Sequence, residues 1–400
     1  MAKRSGVGRM TDEHVFIFSP EQLNYRFHEE HPFNQKRLSI TNDLLFHLGA
    51  LRPEDITPAR EATIEELLLV HDEEYIQAVL NASEGQVRSS YRTAFGIGTD
   101  DTPAFPGMHQ AAAWLVGGTL EAVDQVFAKG KKHALNLGGG LHHGFRGRAS
   151  GFCIYNDSSI AIEYMRRKYG ARVLYVDTDA HHGDGVQWAF YNDPDVCTLS
   201  IHESGRFLFP GTGNANERGH GDGYGTSFNI PLEAFTEDDS FIHVYKEAMR
   251  EIVASFKPDV ILTQNGADSH YYDPLTHLCG TLKLYHEIPR IAHELAHEYC
   301  EGRWIAVGGG GYDIWRVVPR AWSMVWLEMS GQRHLQKKGI PKQWLEKWQT
   351  ESPVTLPEGW FDRTDMYPHI PRQKEIQKKN LRTLKQSLKV IESSSENSKA

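Results

Sequence analysis

Short apolar runs alternate along the chain with longer stretches in which apolar residues return every three or four positions. The runs are HALNL (133–137), RVLYV (172–176), CTLSI (197–201), VILTQ (260–264) and WIAV (304–307). Their near-continuous apolar character, rich in β-branched residues, predicts strands buried on both faces. Between them, 109–129, 157–169, 238–256 and 283–300 carry helical periodicity. Strands separated by helices predict βαβ units, hence a mostly parallel sheet with helices on both sides.

Reactive polar residues follow each run at once. GGGLHHG comes after the first, DTDAHHGDG after the second, HESGRFLFPGTG after the third, NGADSHYYDP after the fourth and GGGGYD after the fifth. Ligands of open α/β sheets collect outside the carboxyl ends of the strands, so these loops predict one shared site. Asp179 and His181 stand two apart at a strand end, point the same way and can bite one metal ion. Asp268, at the end of another strand, is the best third ligand. An Asp, His, Asp set leaves positions open for water and substrate, as in a catalytic zinc site, and is hard enough to accept Fe(II), Co(II) or Mn(II).

Two carboxylates cancel the dication's formal charge, so a further group must help polarise the substrate. His142 and His143 suit proton transfer if each has its own carboxylate, and Asp177 and Asp184 are the unassigned aspartates nearby. The three glycines before them let the backbone turn closely beneath a ligand. Tyr312, after four glycines, could donate a hydrogen bond to a developing oxyanion. Each motif alone has a plainer reading as a strand cap, a satisfied histidine pair or a core tyrosine. Their clustering favours chemistry.

Composition narrows the classes. The chain is 40% hydrophobic and 24% charged, which excludes a disordered or fibrous protein, and its net charge of -9 argues against a general nucleic-acid binder. Cys153, Cys197, Cys279 and Cys300 form neither CxxC pairs nor a disulfide spacing, which predicts a reducing, cytoplasmic setting. Cys153 reads as a packing residue rather than a nucleophile. No GxGxxG, GxxxxGK[ST] or GxSxG pattern occurs, disfavouring a dinucleotide cofactor, nucleotide hydrolysis and a nucleophile elbow. The basic N-terminal stretch has no apolar h-region, and no apolar run reaches membrane-spanning length, so neither secretion nor insertion is expected.

The chain divides into a loose arm (1–12), a catalytic domain (13–330), an extension that wraps it (331–391) and a disordered tail (392–400). Residues 372–389 carry seven Lys or Arg and one Glu, with Ile376, Leu381, Leu384 and Leu388 at helical spacing. They predict a surface helix packed by its apolar stripe, in preference to a site for an acidic partner.

Taken together, LGGGLHHG, GFCIYND, YVDTDAHHGDG, FPGTG, NGADSHYYDP and GGGGY, in this order and spacing, resemble the zinc-dependent histone deacetylase family, most closely its bacterial acetoin-utilization branch. The resemblance runs from HEEHPFNQKR (28–37) to about residue 330. It implies the arginase/deacetylase fold, a three-layer α/β/α domain around a central parallel sheet of eight strands. It implies Asp179, His181 and Asp268 as ligands of zinc or Fe(II), and His142 and His143 as tandem histidines with Asp177 and Asp184 as relay partners. Tyr312 matches the transition-state tyrosine. Phe152 and Phe209 match the walls of the acyl-lysine tunnel, with Leu275 farther along, Asp101 the rim acid that holds the substrate backbone, and Arg37 the arginine beside an acetate-release channel. A potassium ion is implied near Asp177, Asp179, His181, Ser200 and Ile201, mainly on backbone oxygens. Leu141 departs from the pattern, standing where many eukaryotic members carry Trp, and puts acyl-chain preference in doubt.

The implied activity is removal of acetyl groups from acetyl-lysine in proteins, with a metabolic enzyme such as an acyl-CoA synthetase as target and a link to acetoin or acetate use. The alternatives are an acetylpolyamine amidohydrolase and, from another class, a non-catalytic acetyl-lysine reader. A reader should have lost a ligand, a relay histidine or the tyrosine, and this chain keeps them all. A two-manganese ureohydrolase is disfavoured because it needs carboxylates where His142 and His143 stand.

Overall fold

Successive side chains of the strands enter two different cores. On the fourth strand Val173 and Tyr175 join one apolar cluster while Leu174 and Val176 join another, and on the eighth Ile305 and Val307 separate in the same way from Trp304 and Ala306. This is the period-two alternation of a sheet buried on both faces. A computed structural model describes residues 13–397 apart from 364 and 366. Its strands are β1 (His14–Ile17), β2 (Ile56–Thr57), β3 (His133–Asn136), β4 (Val173–Asp177), β5 (Val196–Glu203), β6 (Ser227–Leu232), β7 (Val260–Gln264) and β8 (Trp304–Val307). They form one sheet in the order β2-β1-β3-β8-β7-β4-β5-β6, and every pairing is parallel. The three-layer architecture expected from the alternating pattern is present.

Helices Met108–Phe127 and Asp157–Tyr169 pack on one face. Helices Lys36–Leu48, Asp238–Phe256, Leu282–Tyr299 and Val318–Met329 pack on the other. What positions the site is the centre of the sheet. The strands β3, β8, β7 and β4 are consecutive neighbours, so the loops that follow them emerge side by side. Those loops carry the tandem histidines, GGGGY, Asp268 and the DTDAHHGDG run.

The sequence pattern shows five of these strands and misses β1, β2 and β6. β2 has two residues, too few for any periodicity, and β6 contains Pro231. Proline is tolerated there because β6 is an edge strand.

Beyond the domain's last helix, two tryptophans fasten the chain to the body and a third ties the extension to itself. The Trp344 indole N–H donates to the Ile40 carbonyl (3.0 Å) and that of Trp348 to Asp43 Oδ2 (2.7 Å), while that of Trp360 donates to the Gly339 carbonyl (3.1 Å). Asp362 reaches further in. It accepts from His270 Nε2 (3.0 Å), from the Leu282 N–H (2.8 Å) and from Arg320 (2.9 Å).

The last helix, Gln373–Asn397, lies against β6 and helix 238–256. Its buried stripe differs from the apolar spacing read in the sequence. Leu381 is 36% exposed, while Asn380 is fully buried between Ile376 and Leu384. Asn380 wins the inward position by bonding: its Nδ2 donates to Thr236 Oγ1 and Ser240 Oγ, and its Oδ1 accepts from the Glu233 N–H. The helix also runs to Asn397, into the stretch read as a disordered tail, because residues 392–397 hold no Gly or Pro to stop it. The arm at 1–12 and residues 398–400 lie outside the described residues.

Candidate active site

Asp177 is the last residue of β4, and Asp179 and His181 lie in the bend that follows. Strand alternation therefore does not aim them. The bend is set by its own carboxylates: the Asp179 N–H donates to Asp177 Oδ1 (3.2 Å), and the His181 N–H to Asp179 Oδ1 (2.9 Å). Asp268 arrives from the loop after β7, where its Oδ1 accepts from the Ala180 N–H (2.8 Å). One ligand atom from each of Asp179, His181 and Asp268 lies within 4.8 Å of the others, and all three residues are buried. His181 Nδ1 is 3.1 Å from Asp179 Oδ1 and 3.0 Å from Asp268 Oδ2.

This donor set fits a divalent cation. Burial resists every charge here, yet His142 and His181 hold Asp179 well below the usual carboxylate range, while burial and Asp179 push Asp268 up to about 7. Against burial, the two carboxylates lift His181 to about 10. Two touching buried carboxylates are satisfied by a shared proton or by a cation between them. Gly310 makes room for the cluster. Its N–H donates to Asp179 Oδ2 (2.7 Å), and a Cβ there would stand 2.2 Å from Asp268 Oδ2.

The tandem histidines each have their own carboxylate. His142 Nδ1 is 2.8 Å from Asp177 Oδ2, and His143 Nδ1 is 2.7 Å from Asp184 Oδ1. Because a carboxylate accepts, each Nδ1 carries the proton and each Nε2 is free to exchange one. The rings sit 4.0 Å apart. Burial disfavours the charged form of both, but Asp177 and Asp179 outweigh it and lift His142 to about 9. Burial together with the charge of His142 holds His143 down to about 4, against the pull of Asp184. The glycines before them pack tightly against other parts of the chain. At Gly140, φ is +94° and a Cβ would stand 2.7 Å from the backbone of Gly308 and Gly309, so the two glycine loops pack on each other.

A chain of aromatic contacts runs through the cluster. Phe209 meets His143 edge-on (5.1 Å), His143 faces His181 (6.0 Å), His181 faces Tyr312 (6.4 Å) and Tyr312 meets Phe152 (5.8 Å). Burial and the nearby Asp179 and Asp268 push the Tyr312 phenol well above its ordinary range, so it stays a hydrogen-bond donor. Arg37 is buried between the rings of Phe33 (4.4 Å) and Trp322 (4.8 Å) and donates to the Gly311 carbonyl (3.1 Å), directly behind Tyr312.

The remaining expected residues fall around this centre. Ser200 pairs in register with Asp177 across β4 and β5, and Ile201 follows it. Leu275 is half-buried, and its N–H donates to Asp273 Oδ1 (3.0 Å). Asp101 is exposed; its backbone carbonyl accepts from His31 Nε2 (3.3 Å), whose ring lies 4.7 Å from Phe152. Cys153 is buried, with its thiol pushed well up by burial, and Leu141 packs in the core beside the site.

Several supporting residues escaped the sequence reading. Gln264 Nε2 donates to Asp179 Oδ2 (2.8 Å), Asp273 Oδ2 accepts from the Tyr312 N–H (2.9 Å), and Asp157 accepts from the Gly140 and Leu141 N–H groups (3.0 and 2.8 Å). Gln264 was findable, as a polar residue ending an apolar strand. Asp157 follows Asn156, which caps its helix, and reads as part of that cap.

Comparison with known proteins adds an independent line. Residues 31–329 match the histone deacetylase domain. The acetoin utilization protein AcuC of Bacillus subtilis (strain 168) is 60% identical over 385 residues, covering 96% of this chain and 99% of that protein. The protein of the same name from Staphylococcus xylosus is 48% identical, covering 94% and 97%. A crystal structure of an HDAC homologue complexed with SAHA superposes with a TM-score of 0.79 at 31% identity, covering 93% of this chain and all of that one. An HDAC homologue from Aquifex aeolicus gives a TM-score of 0.75 at 30% identity, covering 92% and 99%. With the eight-stranded parallel sheet and the clustered aspartates and histidines at its carboxyl end, these matches lead to one assignment: the chain belongs to the histone deacetylase family.

Proposed function

We propose that this chain hydrolyses the acetyl amide of acetyl-lysine side chains in proteins. The observation that carries the reading is the pair of touching histidines, each backed by its own aspartate, beside an Asp, His, Asp ligand set that faces a protonated tyrosine. Asp179, His181 and Asp268 would hold zinc, or Fe(II) in its place, and Asp177, Ser200 and Ile201 would help hold potassium. A bound dication supplies Lewis acidity to the acetyl carbonyl and acidifies the attacking water.

The chain's own residues do the rest. Phe152 and Phe209 hold the acyl-lysine stem between their rings, Leu275 lines the way in, and Asp101 at the rim accepts from substrate backbone N–H groups. The free Nε2 of His143 takes the water's proton as the water oxygen bonds to the carbonyl carbon. Charged His142 stabilises the anionic centre beside it. The Tyr312 phenol donates to the oxyanion, offsetting the charge that the two aspartates take from the ion. As the C–N bond breaks, the proton on His143 passes to the lysine nitrogen and the acid formed gives up its own, leaving acetate and a lysine ammonium. Arg37, behind Tyr312, attracts the departing acetate.

The relatives' names, acetoin utilization protein, support a role in acetoin metabolism; to this we add, as part of the proposal, a cytoplasmic setting, a link to acetate use, and a metabolic enzyme such as an acyl-CoA synthetase as the acetylated partner. Asp268→Ala tests the core of the reading. Hydrolysis of an acetyl-lysine peptide should fall to background together with metal content at this site, and normal turnover in that variant would refute it.

A further inference from the structure

The amino end of the same sheet gathers a second group of imidazoles. His133 opens β3, while His293 and His297 stand four apart on helix Leu282–Tyr299 and so share one face. One ring nitrogen from each lies within 4.8 Å of the others. The rings meet steeply, at interplanar angles of 90°, 71° and 60°, as donors converging on a point do and stacked rings do not.

The tautomers of His133 and His293 suit a ligand role. His133 Nδ1 is 3.2 Å from the Met329 carbonyl, which only accepts, so Nδ1 carries the proton and Nε2 offers a lone pair toward His297 Nε2, 3.1 Å away. His293 Nδ1 lies 2.7 Å from Glu328 Oε1, and the other oxygen of that carboxylate is held by Arg333 at 3.1 Å. A carbonyl or carboxylate behind the ring is how metal-bound histidines are oriented. His133 is buried, His293 half-buried and His297 exposed, which gives an ion a way in and a fourth position open to water.

We propose that His133, His293 and His297 form a second metal site, taking one borderline divalent ion of the zinc, nickel or copper class. Three nitrogen donors prefer these ions, whereas the two aspartates and one histidine at the other end form a harder set. The ion ties β3 to helix 282–299 and, through Glu328 and Met329, to helix 318–329. It lies at the end of the sheet away from the reacting residues and takes no part in hydrolysis.

The test is zinc binding to the full-length protein by equilibrium dialysis with metal analysis. Wild type should bind two ions per chain, Asp179→Ala one, and His297→Gln one, with acetyl-peptide hydrolysis unchanged in His297→Gln. Glu328→Gln should weaken the remaining site of Asp179→Ala by about 10–100-fold. Copper in that same variant should give an electron paramagnetic resonance spectrum with coupling to three nitrogens. Loss of all bound metal from Asp179→Ala would overturn the proposal. So would two ions of unchanged affinity in both His297→Gln and His293→Gln.

Discussion

At the carboxyl end of the sheet, His142, His143 and His270 each have an aspartate on one ring nitrogen, whereas at the amino end His133 and His297 turn their Nε2 atoms toward one another. His142 and His133 are both buried, so burial alone does not distinguish them. The partners do. Carboxylates lift His142 to about 9 against burial, and facing imidazoles add to burial in taking His133 to about 3. His143 marks the limit of the rule, because the charge on His142, 4.0 Å away, helps burial to prevail over its own aspartate. The carboxyl end thus sets a charged ring against a neutral one, an arrangement for moving protons. The amino end keeps His133 neutral among facing imidazoles, and the carboxylate there, Glu328, stands on His293 alone of the three rings.

The strongest way to break this contrast is Asp179→Ala. Acetyl-peptide hydrolysis should drop to background while the histidine trio keeps its ion, and simultaneous loss of both ions would mean that the two ends are not independent. His143→Ala should come next, with kcat lower by about 10²–10⁴ and metal content at the aspartate site intact. If that variant is isolated without metal, His143 is a ligand and the division between proton carriers and donors fails.

Tyr312→Phe should cost about 10²–10³ in kcat while direct binding of the acetyl peptide is nearly unchanged, the mark of a bond made in the transition state. A collapse in affinity would make Tyr312 a substrate-binding residue. Asp362→Asn should affect chemistry least and stability most, since it takes the carboxylate from His270 and leaves buried Arg320 unpaired, at a cost of ~3–5 kcal/mol. Burial opposes the Asp362 charge, but His270 and Arg320 outweigh it and hold the carboxyl below its usual range. A depressed carboxyl stabilises the fold fully above its unfolded pKa of about 3.9, and that contribution fades as pH falls further. The acid-induced fall in thermal midpoint should therefore be shallower in Asp362→Asn, and equal slopes would show that the pair is not linked to folding.

The sequence made the centre of the molecule legible because its central strands are continuously apolar and their loops are dense in titratable residues. β2 stayed hidden by its two residues and β6 by Pro231, and both, with the unread β1, lie on the flanks of the sheet. The presence of Asp177 and Asp184 was readable, but which histidine each serves was not, since the partners are 35 and 41 residues apart. Asp179 and His181 converge through carboxylate-bonded turns in a bend, which strand periodicity does not encode. Leu381 and Asn380 traded places because three hydrogen bonds compensate a buried amide, a fact that hydropathy does not encode. The histidine trio left only the four-residue spacing of His293 and His297 as a trace, its third member coming from a strand more than 150 residues earlier.

The seating of helix 373–397 against β6 bears on how copies of this chain behave toward each other. An edge strand offers unpaired backbone groups to any other strand that can reach it. Here the helix lies along that strand, and Ile376, Leu384 and Leu388 bury their apolar surface against the body. A chain ending before Gln373 would keep every residue of the aspartate and histidine cluster yet expose the strand margin and an apolar strip together. Such a shortened protein should self-associate as its concentration rises, visible as growing light scattering, while the full-length chain at the same concentration stays dispersed.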